Sequence, residues 1–364
     1  MFFPAFMVLM RPLKNQSSGQ REAFPLSEAL SQAAQGSFGS PGSDRPAAAK
    51  IAAVIPCFRE TAHILGVLAA IGPEVARIVV VDDCCPDGTG RLVREKCRDA
   101  RVEVVIHDAN QGVGGATMTG YRRALEWGAD VIVKIDGDGQ MDPALIPALI
   151  RPLLALEADY AKGNRFHDLD GLSAMPGLRL AGNLLLSFAN KVSSGYWDLF
   201  DPTNGFTAIH AKIARALPPD KISRSFFFES DILFRLYLLR AVVVDVPMRA
   251  RYGAEESSLR IANVVGEFAL KHLRNTAKRV FYTYFLRDFT AASLELVLGA
   301  LLFLFGAVHG LVHWSASIAT GVPATAGTVV LAAVPVLLGS VLLLAFLHFD
   351  IGNVPRRPLH PRLS

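Results

Sequence analysis

The chain is short of cysteine and of net charge, and its apolar start is short of the flanks a signal peptide needs; each shortage argues against a class of function. Its four cysteines, Cys57, Cys84, Cys85 and Cys97, follow no zinc-ligand spacing. They are expected to be free thiols of a reduced cytoplasmic domain. A formal net charge of +4, part of it gathered just ahead of an apolar C-terminal region, gives no footing for nucleic acid. Met1 to Met10 is apolar, yet no basic region precedes it and no small-residue cleavage site follows closely, so it does not read as a signal peptide. Near the C-terminus charge almost disappears. Glu295 stands alone between Ala291 and Trp314, and no Asp, Glu, Lys or Arg occurs from Thr328 to His348.

Each of those two runs exceeds the roughly 20 residues needed to cross a bilayer core. A two-helix transmembrane hairpin over 289–350 is therefore expected, joined by an uncharged loop from Ser315 to Gly327. Arg274, Lys278, Arg279 and Arg287 precede the first span, and Arg356, Arg357 and Arg362 follow the second. By the positive-inside bias the large N-terminal domain and the tail, 351–364, are expected in the cytoplasm, at a bacterial inner membrane or its equivalent. Residues 259–288 mix apolar and basic side chains as an amphipathic helix on a membrane surface does. Gly299 and Gly306 would pack between protomers of a homo-oligomer or within one hairpin. His309 and His313 are spaced as metal ligands, but without a third ligand they fit helix packing better.

Residues 1–49, rich in Ser, Gly, Gln, Ala and Pro without lasting periodicity, are expected to form a disordered or loosely attached leader. From Lys50 strand and helix patterns alternate. Ile51 to Pro56, Ala76 to Asp82, Val102 to His107, Val131 to Asp136 and Ala158 to Lys162 predict strands. Helical patterns lie between them, and a further helix (Pro176 to Ser193), strand (Gly205 to Ile209), helix (Glu229 to Leu239) and strand (Ala241 to Val246) follow. Such alternation predicts an α/β domain over 50–258, Rossmann-like, with a mostly parallel sheet covered on both faces.

In that fold ligands bind beyond the carboxyl ends of the strands. The fourth strand ends in Asp136-Gly-Asp138-Gly-Gln140. Two carboxylates one residue apart can share a magnesium or manganese ion with substrate phosphates. Alone, the motif fits an ordinary acidic turn as well. Glu60 after the first strand and Asp82 and Asp83 after the second are placed to hold a nucleotide base and ribose. Asn110-Gln-Gly-Val-Gly-Gly-Ala116 follows the third strand, where a helix start needing glycine for close packing is as good a reading as phosphate binding.

Taken in order, Ile55 to Glu60, Val81 to Thr89, Asn110 to Gly120, Asp136 to Pro143 and Gly163-Asn-Arg-Phe166 resemble the inverting family 2 glycosyltransferases of GT-A fold. The likeness covers about Lys50 to Arg260 and is nearest to the dolichyl- or polyprenyl-phosphate mannosyltransferase and glucosyltransferase group. It implies a divalent-metal and diphosphate site at Asp136, Asp138 and Gln140, and nucleotide-sugar contacts from Pro56, Glu60, Asp83, Gly112 and Arg251. It further implies that Arg165, Arg179 and Asn183 hold the phosphate of a lipid acceptor. The Asp201-Pro-Thr-Asn-Gly-Phe206 turn would lie near the donor sugar, and Phe228-Glu-Ser-Asp231 would form an acidic helix start. Cys84-Cys85 and Cys57-Phe58 depart from the family's usual residues, which leaves base and donor open.

The expected reaction moves one sugar, mannose or glucose, from a nucleotide-sugar donor to a polyprenyl phosphate. An ionised lipid phosphate attacks without a general base, whereas a sugar hydroxyl needs one. Asp201 or Glu229 would be that base, although binding sugar hydroxyls or orienting Arg165 suits them better. Alternatives are transfer to a hydroxyl of a lipid-linked or polymeric glycan, and a non-catalytic subunit that binds nucleotide sugar or lipid. A processive synthase is disfavoured, since no QxxRW segment occurs.

Overall fold

The computed structural model describes residues 49–167, 177–248 and 261–363. The predicted leader, Arg251 and the Glu255 to Arg260 stretch lie outside these residues, apart from Ala49. In chain order the domain runs β1 (Ile51–Cys57), α1 (Ile64–Ala70), β2 (Arg77–Asp82), α2 (Thr89–Lys96), β3 (Val102–Ile106), α3 (Gly112–Trp127), β4 (Val131–Lys134), α4 (Ile146–Leu154) and β5 (Tyr160–Asn164). It continues with α5 (Gly177–Ser194), β6 (Thr207–His210), α6 (Ala211–Ala216), α7 (Phe228–Leu239) and β7 (Val243–Pro247).

The strands form one sheet in the order β3-β2-β1-β4-β6-β5-β7. All pairings are parallel except those of β6, which is antiparallel to both β4 and β5. β1 is buried at every position, as a strand covered on both faces must be. Its side chains alternate between two apolar layers. Ala52 and Val54 join Val79, Val81, Tyr121 and Leu233 on one face; Ala53 and Ile55 join Ile78, Val80, Ile64 and Leu149 on the other. Each fully buried aliphatic side chain contributes about 1.5–3 kcal/mol, so a sheet of such strands makes a stiff base for the loops at its carboxyl edge.

Beyond the sheet, α8 (Ile261–Phe281) packs against α5 and α7 and runs into a π-helical turn, Tyr282–Arg287. An antiparallel hairpin of α9 (Ala291–Thr320) and α10 (Ala326–Gly352) follows. The first helix extends past the predicted loop start to Thr320, because nothing breaks it before Gly321, whose φ of 68° ends the turn. Both helices are long and apolar enough to cross a membrane. Much of their apolar surface is open, Leu301, Leu337 and Leu344 being 60%, 65% and 64% exposed, which suits lipid and not water. A Cβ on Gly306 would stand 2.6 Å from the Ala332 carbonyl oxygen, and one on Gly299 3.0 Å from Leu342 Cβ. These glycines thus serve close packing inside the hairpin.

The hairpin is tied back to the domain at its base. Asp350, at the end of α10, accepts hydrogen bonds from Arg279 (2.6 and 2.9 Å), Tyr284 (2.6 Å) and Trp197 (2.9 Å). The tail then folds onto the sheet. The Leu359 and His360 amides donate to the buried Asp159 carboxylate, and the His360 ring stacks on His210 with centroids 4.0 Å apart.

Candidate active site

Antiparallel pairing puts the start of β6 beside the ends of both neighbours: Thr207 lies opposite Lys134 of β4 and opposite Lys162 of β5. The turn that precedes β6, Asp201 to Phe206, is thereby delivered to the carboxyl edge between those strands. Gly205 touches Asp136, and a Cβ there would collide with the Asp136 carboxylate and the Lys134 ammonium. On the other side, a Cβ at Gly137 would lie 3.2 Å from Cys57 Sγ and 3.3 Å from Glu60 Cγ. Glycine at both positions lets the acidic turn sit between Glu60 and the 201–206 turn.

Asp136 Oδ1 accepts from Lys134 Nζ at 2.7 Å, and the same ammonium reaches Glu229 Oε1 at 3.3 Å and the Gly205 carbonyl at 3.3 Å. Lys134 is 1% exposed. Burial works to lower its pKa, but the charges of Asp136 and Glu229 outweigh it and hold the lysine well above its usual value. It is a fixed cation behind the acidic turn. Asp138 accepts the Gln140 amide at 2.9 Å through Oδ1. Asp136 and Asp138 are both partly exposed. Among the described residues no three His, Cys, Asp or Glu side chains form a closed metal cage. Two accessible carboxylates with hard oxygens and an adjacent amide fit a magnesium or manganese ion whose other positions go to a diphosphate and water.

At the other end of the turn, Asp201 is fully buried and grips Arg165 in a forked pair: Nε to Oδ2 at 2.8 Å and Nη2 to Oδ1 at 3.0 Å, with the Arg165 amide also on Oδ2 at 3.2 Å. Such a pair fixes the guanidinium plane. Of the roles expected for Asp201, orienting Arg165 is the one that matches this geometry, since both its oxygens are engaged by that residue. Glu229, similarly held by Lys134, is 13% exposed. Arg179 and Asn183 lie on α5, a turn apart, with their side chains outside the described set.

Three further residues of the expected nucleotide site, Asp82, Asp83 and Gly112, are held by the fold. Asp82 is 2% exposed, and its carboxylate accepts the Cys85 and Gly90 amides at 2.6 and 2.5 Å. Asp83 is 3% exposed and accepts the Gln111 and Gly112 amides at 2.8 and 2.7 Å and His107 Nδ1 at 2.7 Å. Both acids satisfy backbone donors, one at the turn into α2 and the other at the start of α3. Gly112 has φ 79° and lies against the Arg224 carbonyl, so the backbone there calls for glycine. Pro56 is buried within β1, paired beside Val81, and Glu60 stands on the loop after it, its amide donating to Thr89 Oγ1 at 3.2 Å.

The two buried lysines went unmarked in the sequence. Lys162, 1% exposed, donates to the Asn204 carbonyl. Burial lowers its pKa to about 8 against the opposing pull of Asp201, Glu229 and Asp245. The usable signal is a lysine following apolar residues in each of two strands, Val131 to Val133 in β4 and Tyr160 and Ala161 in β5.

A doubly covered α/β sheet, a partly exposed acidic pair at the carboxyl edge and an arginine locked at the other end of the 201–206 turn fit a glycosyltransferase of GT-A fold. Residues 52–217 match the family described as Glycosyl transferase family 2. The chain is 31% identical over 223 residues to the undecaprenyl-phosphate mannosyltransferase of Micrococcus luteus, across 60% of this chain and 90% of that protein. It is 28% identical over 231 residues to the UDP-N-acetylglucosamine–dolichyl-phosphate N-acetylglucosaminyltransferase of Methanococcus voltae, across 60% of this chain and 91% of that protein. Polyprenol monophosphomannose synthase of Mycolicibacterium smegmatis is 28% identical over 220 residues, across 59% and 82%. The chain belongs to glycosyltransferase family 2.

Proposed function

We propose that this protein transfers one sugar, mannose or glucose, with inversion from a nucleotide-sugar donor to a polyprenyl phosphate at the cytoplasmic face of a membrane. The observation that carries the proposal is the Asp201 to Phe206 turn, which joins the acidic pair at one end to the locked Arg165 at the other. The names of the relatives, which speak of dolichyl, undecaprenyl and polyprenol phosphates, support the acceptor. The open apolar faces of α9 and α10 support the membrane.

Asp136 and Asp138, with Gln140 beside them, would hold magnesium or manganese. That ion, when bound, would neutralise the departing diphosphate. Arg165, with Arg179 and Asn183 from α5, would grip the acceptor phosphate through paired hydrogen bonds. An oxygen of that ionised phosphate attacks the anomeric carbon from the face opposite the leaving group. A new carbon–oxygen bond forms as the bond to the diphosphate breaks, and configuration inverts. No proton has to be removed from the nucleophile, which agrees with Asp201 and Glu229 each being held by a cation.

The test is purified full-length protein with magnesium or manganese, undecaprenyl phosphate and separate nucleotide-sugar donors, with diphosphate release and lipid product followed by mass spectrometry. Absence of release with every donor would sink the proposal. Undecaprenol, which lacks the phosphate, should be inert; equal turnover with it would favour a hydroxyl acceptor. Asp138→Ala should cost at least ~100-fold in turnover with unchanged thermal melting. Full activity in that variant would remove the metal assignment.

A further inference from the structure

Between α7 and α8, apart from the acidic turn and Arg165, lies a cavity of about 510 Å³, within the range of small-ligand sites. Its wall carries Lys221, Arg235, Lys271, Arg274 and Lys278 against a single carboxylate, Asp231. That carboxylate is consumed. It is 5% exposed and accepts the Ser223 amide at 2.9 Å, Arg235 Nε at 3.0 Å and Asn275 Nδ2 at 3.1 Å. Lys271 is paired with Glu267 at 2.5 Å. Lys221, Arg274 and Lys278 form no ion pair among the described residues. Burial first, then the charges of Arg274 and Arg235, hold Lys278 below its usual pKa against the smaller opposing pull of Asp231.

The neighbouring face of α8 indicates what brings the counterion. Leu270, Leu273 and Phe281 are 68%, 66% and 53% exposed. They form an apolar stripe at helical spacing beside Lys271, Arg274 and Lys278. α8 leads through the Tyr282–Arg287 turn directly into the apolar hairpin. A helix so placed would lie in the plane of the membrane surface, apolar stripe in the acyl boundary and cations at headgroup depth. We propose that this cavity binds the headgroup of an anionic phospholipid, whose acyl chains run along the Leu270–Phe281 stripe, at a site separate from the sugar-transfer centre. The phosphodiester would accept paired hydrogen bonds from Arg274 and a charge-assisted bond from Lys278. This rests on the membrane placement of α8 to α10 but not on the transfer reaction.

The experiment titrates fluorescent phosphatidylglycerol and phosphatidylcholine into full-length protein in non-ionic detergent, with no donor or acceptor present. Phosphatidylglycerol should bind about tenfold more tightly or better. The double variant Arg274→Gln/Lys278→Gln should lose about tenfold of that affinity with phosphatidylcholine binding unchanged. Lys221→Gln, on the opposite wall and exposed, should weaken it in the same direction and guards against misfolding of the helix variant. Wild-type affinity for phosphatidylglycerol in both variants would overturn the proposal. Displacement by millimolar inorganic phosphate as readily as by phosphatidylglycerol would also overturn it, showing a free-phosphate site. So would displacement by equimolar undecaprenyl phosphate but not by phosphatidylglycerol, assigning the cavity to the acceptor. Failure of the transferase proposal would leave these results untouched. Failure of the membrane placement would show separately, as protein recovered in the soluble fraction without detergent.

Discussion

Lys134 and Lys162 flank Thr207 on one row of the sheet, and they stand in opposite electrostatic states. Lys134 has two carboxylates to answer its charge, whereas Lys162 has a backbone carbonyl and more distant acids. An unfolded lysine keeps its proton to about pH 10.4, while folded Lys162 titrates at about 8. Between those values the unfolded chain binds more protons, so this residue makes stability rise with pH over about 8 to 10.4 and penalises the fold below about 8. Thermal melting of wild type and Lys162→Met across that window should show the wild type gaining on the variant, by about 3 kcal/mol at most; a constant difference would refute the shift. Residue by residue, the placement of the acidic turn at the carboxyl end of β4 and of Arg165 just past β5 is legible in the sequence, because each closes a short strand pattern. The amide bonds of Asp82 and Asp83 are not legible, because a carboxylate at a strand end looks the same in sequence whether or not it also caps neighbouring amides. The lysines escaped because lysine in a strand ordinarily faces water, and only tertiary pairing brings counter-charges to it.

Among the elements, β6 decides the site. Its antiparallel insertion carries the 201–206 turn to the place where β4 and β5 end. A four-residue apolar strand reads alike in either direction, so the sequence could show the strand and not its orientation. α8 shows the same limit. Its amphipathic pattern was legible, but Arg279, counted with the surface cations, is 2% exposed and bonded to Asp350. Removing one partner of such a buried pair typically costs about 3–5 kcal/mol, because the other charge is left uncompensated. Asp350→Ala should therefore lower stability by that order, and Arg279→Met/Asp350→Leu should recover most of the loss. Equal destabilisation of the single and double variants in detergent melts would show that the pair does not hold α8 to the hairpin.

At the scale of the whole molecule, the base of the hairpin and the tail share the domain's side of α9 and α10. Asp350 is bonded into the domain through Trp197 and Arg279, and the tail reaches Asp159. The Gly321 to Thr325 turn lies at the far end of two helices of 30 and 27 residues. At 1.5 Å per residue they are about 45 and 40 Å long, enough to cross a hydrocarbon core of about 30 Å. A spanning hairpin must then separate the turn from everything else described. Arginines flank both domain-side ends while the turn has none, and the proposed cytoplasmic placement of the domain rests on the positive-inside bias. A membrane-impermeant maleimide applied to intact spheroplasts should label Val322→Cys, which is exposed in the turn, and should spare the exposed native Cys84 until the cells are opened. Labelling of Cys84 in intact cells would place the domain outside. Protection of Val322→Cys both before and after opening would show a turn buried in the bilayer and remove the two-span arrangement.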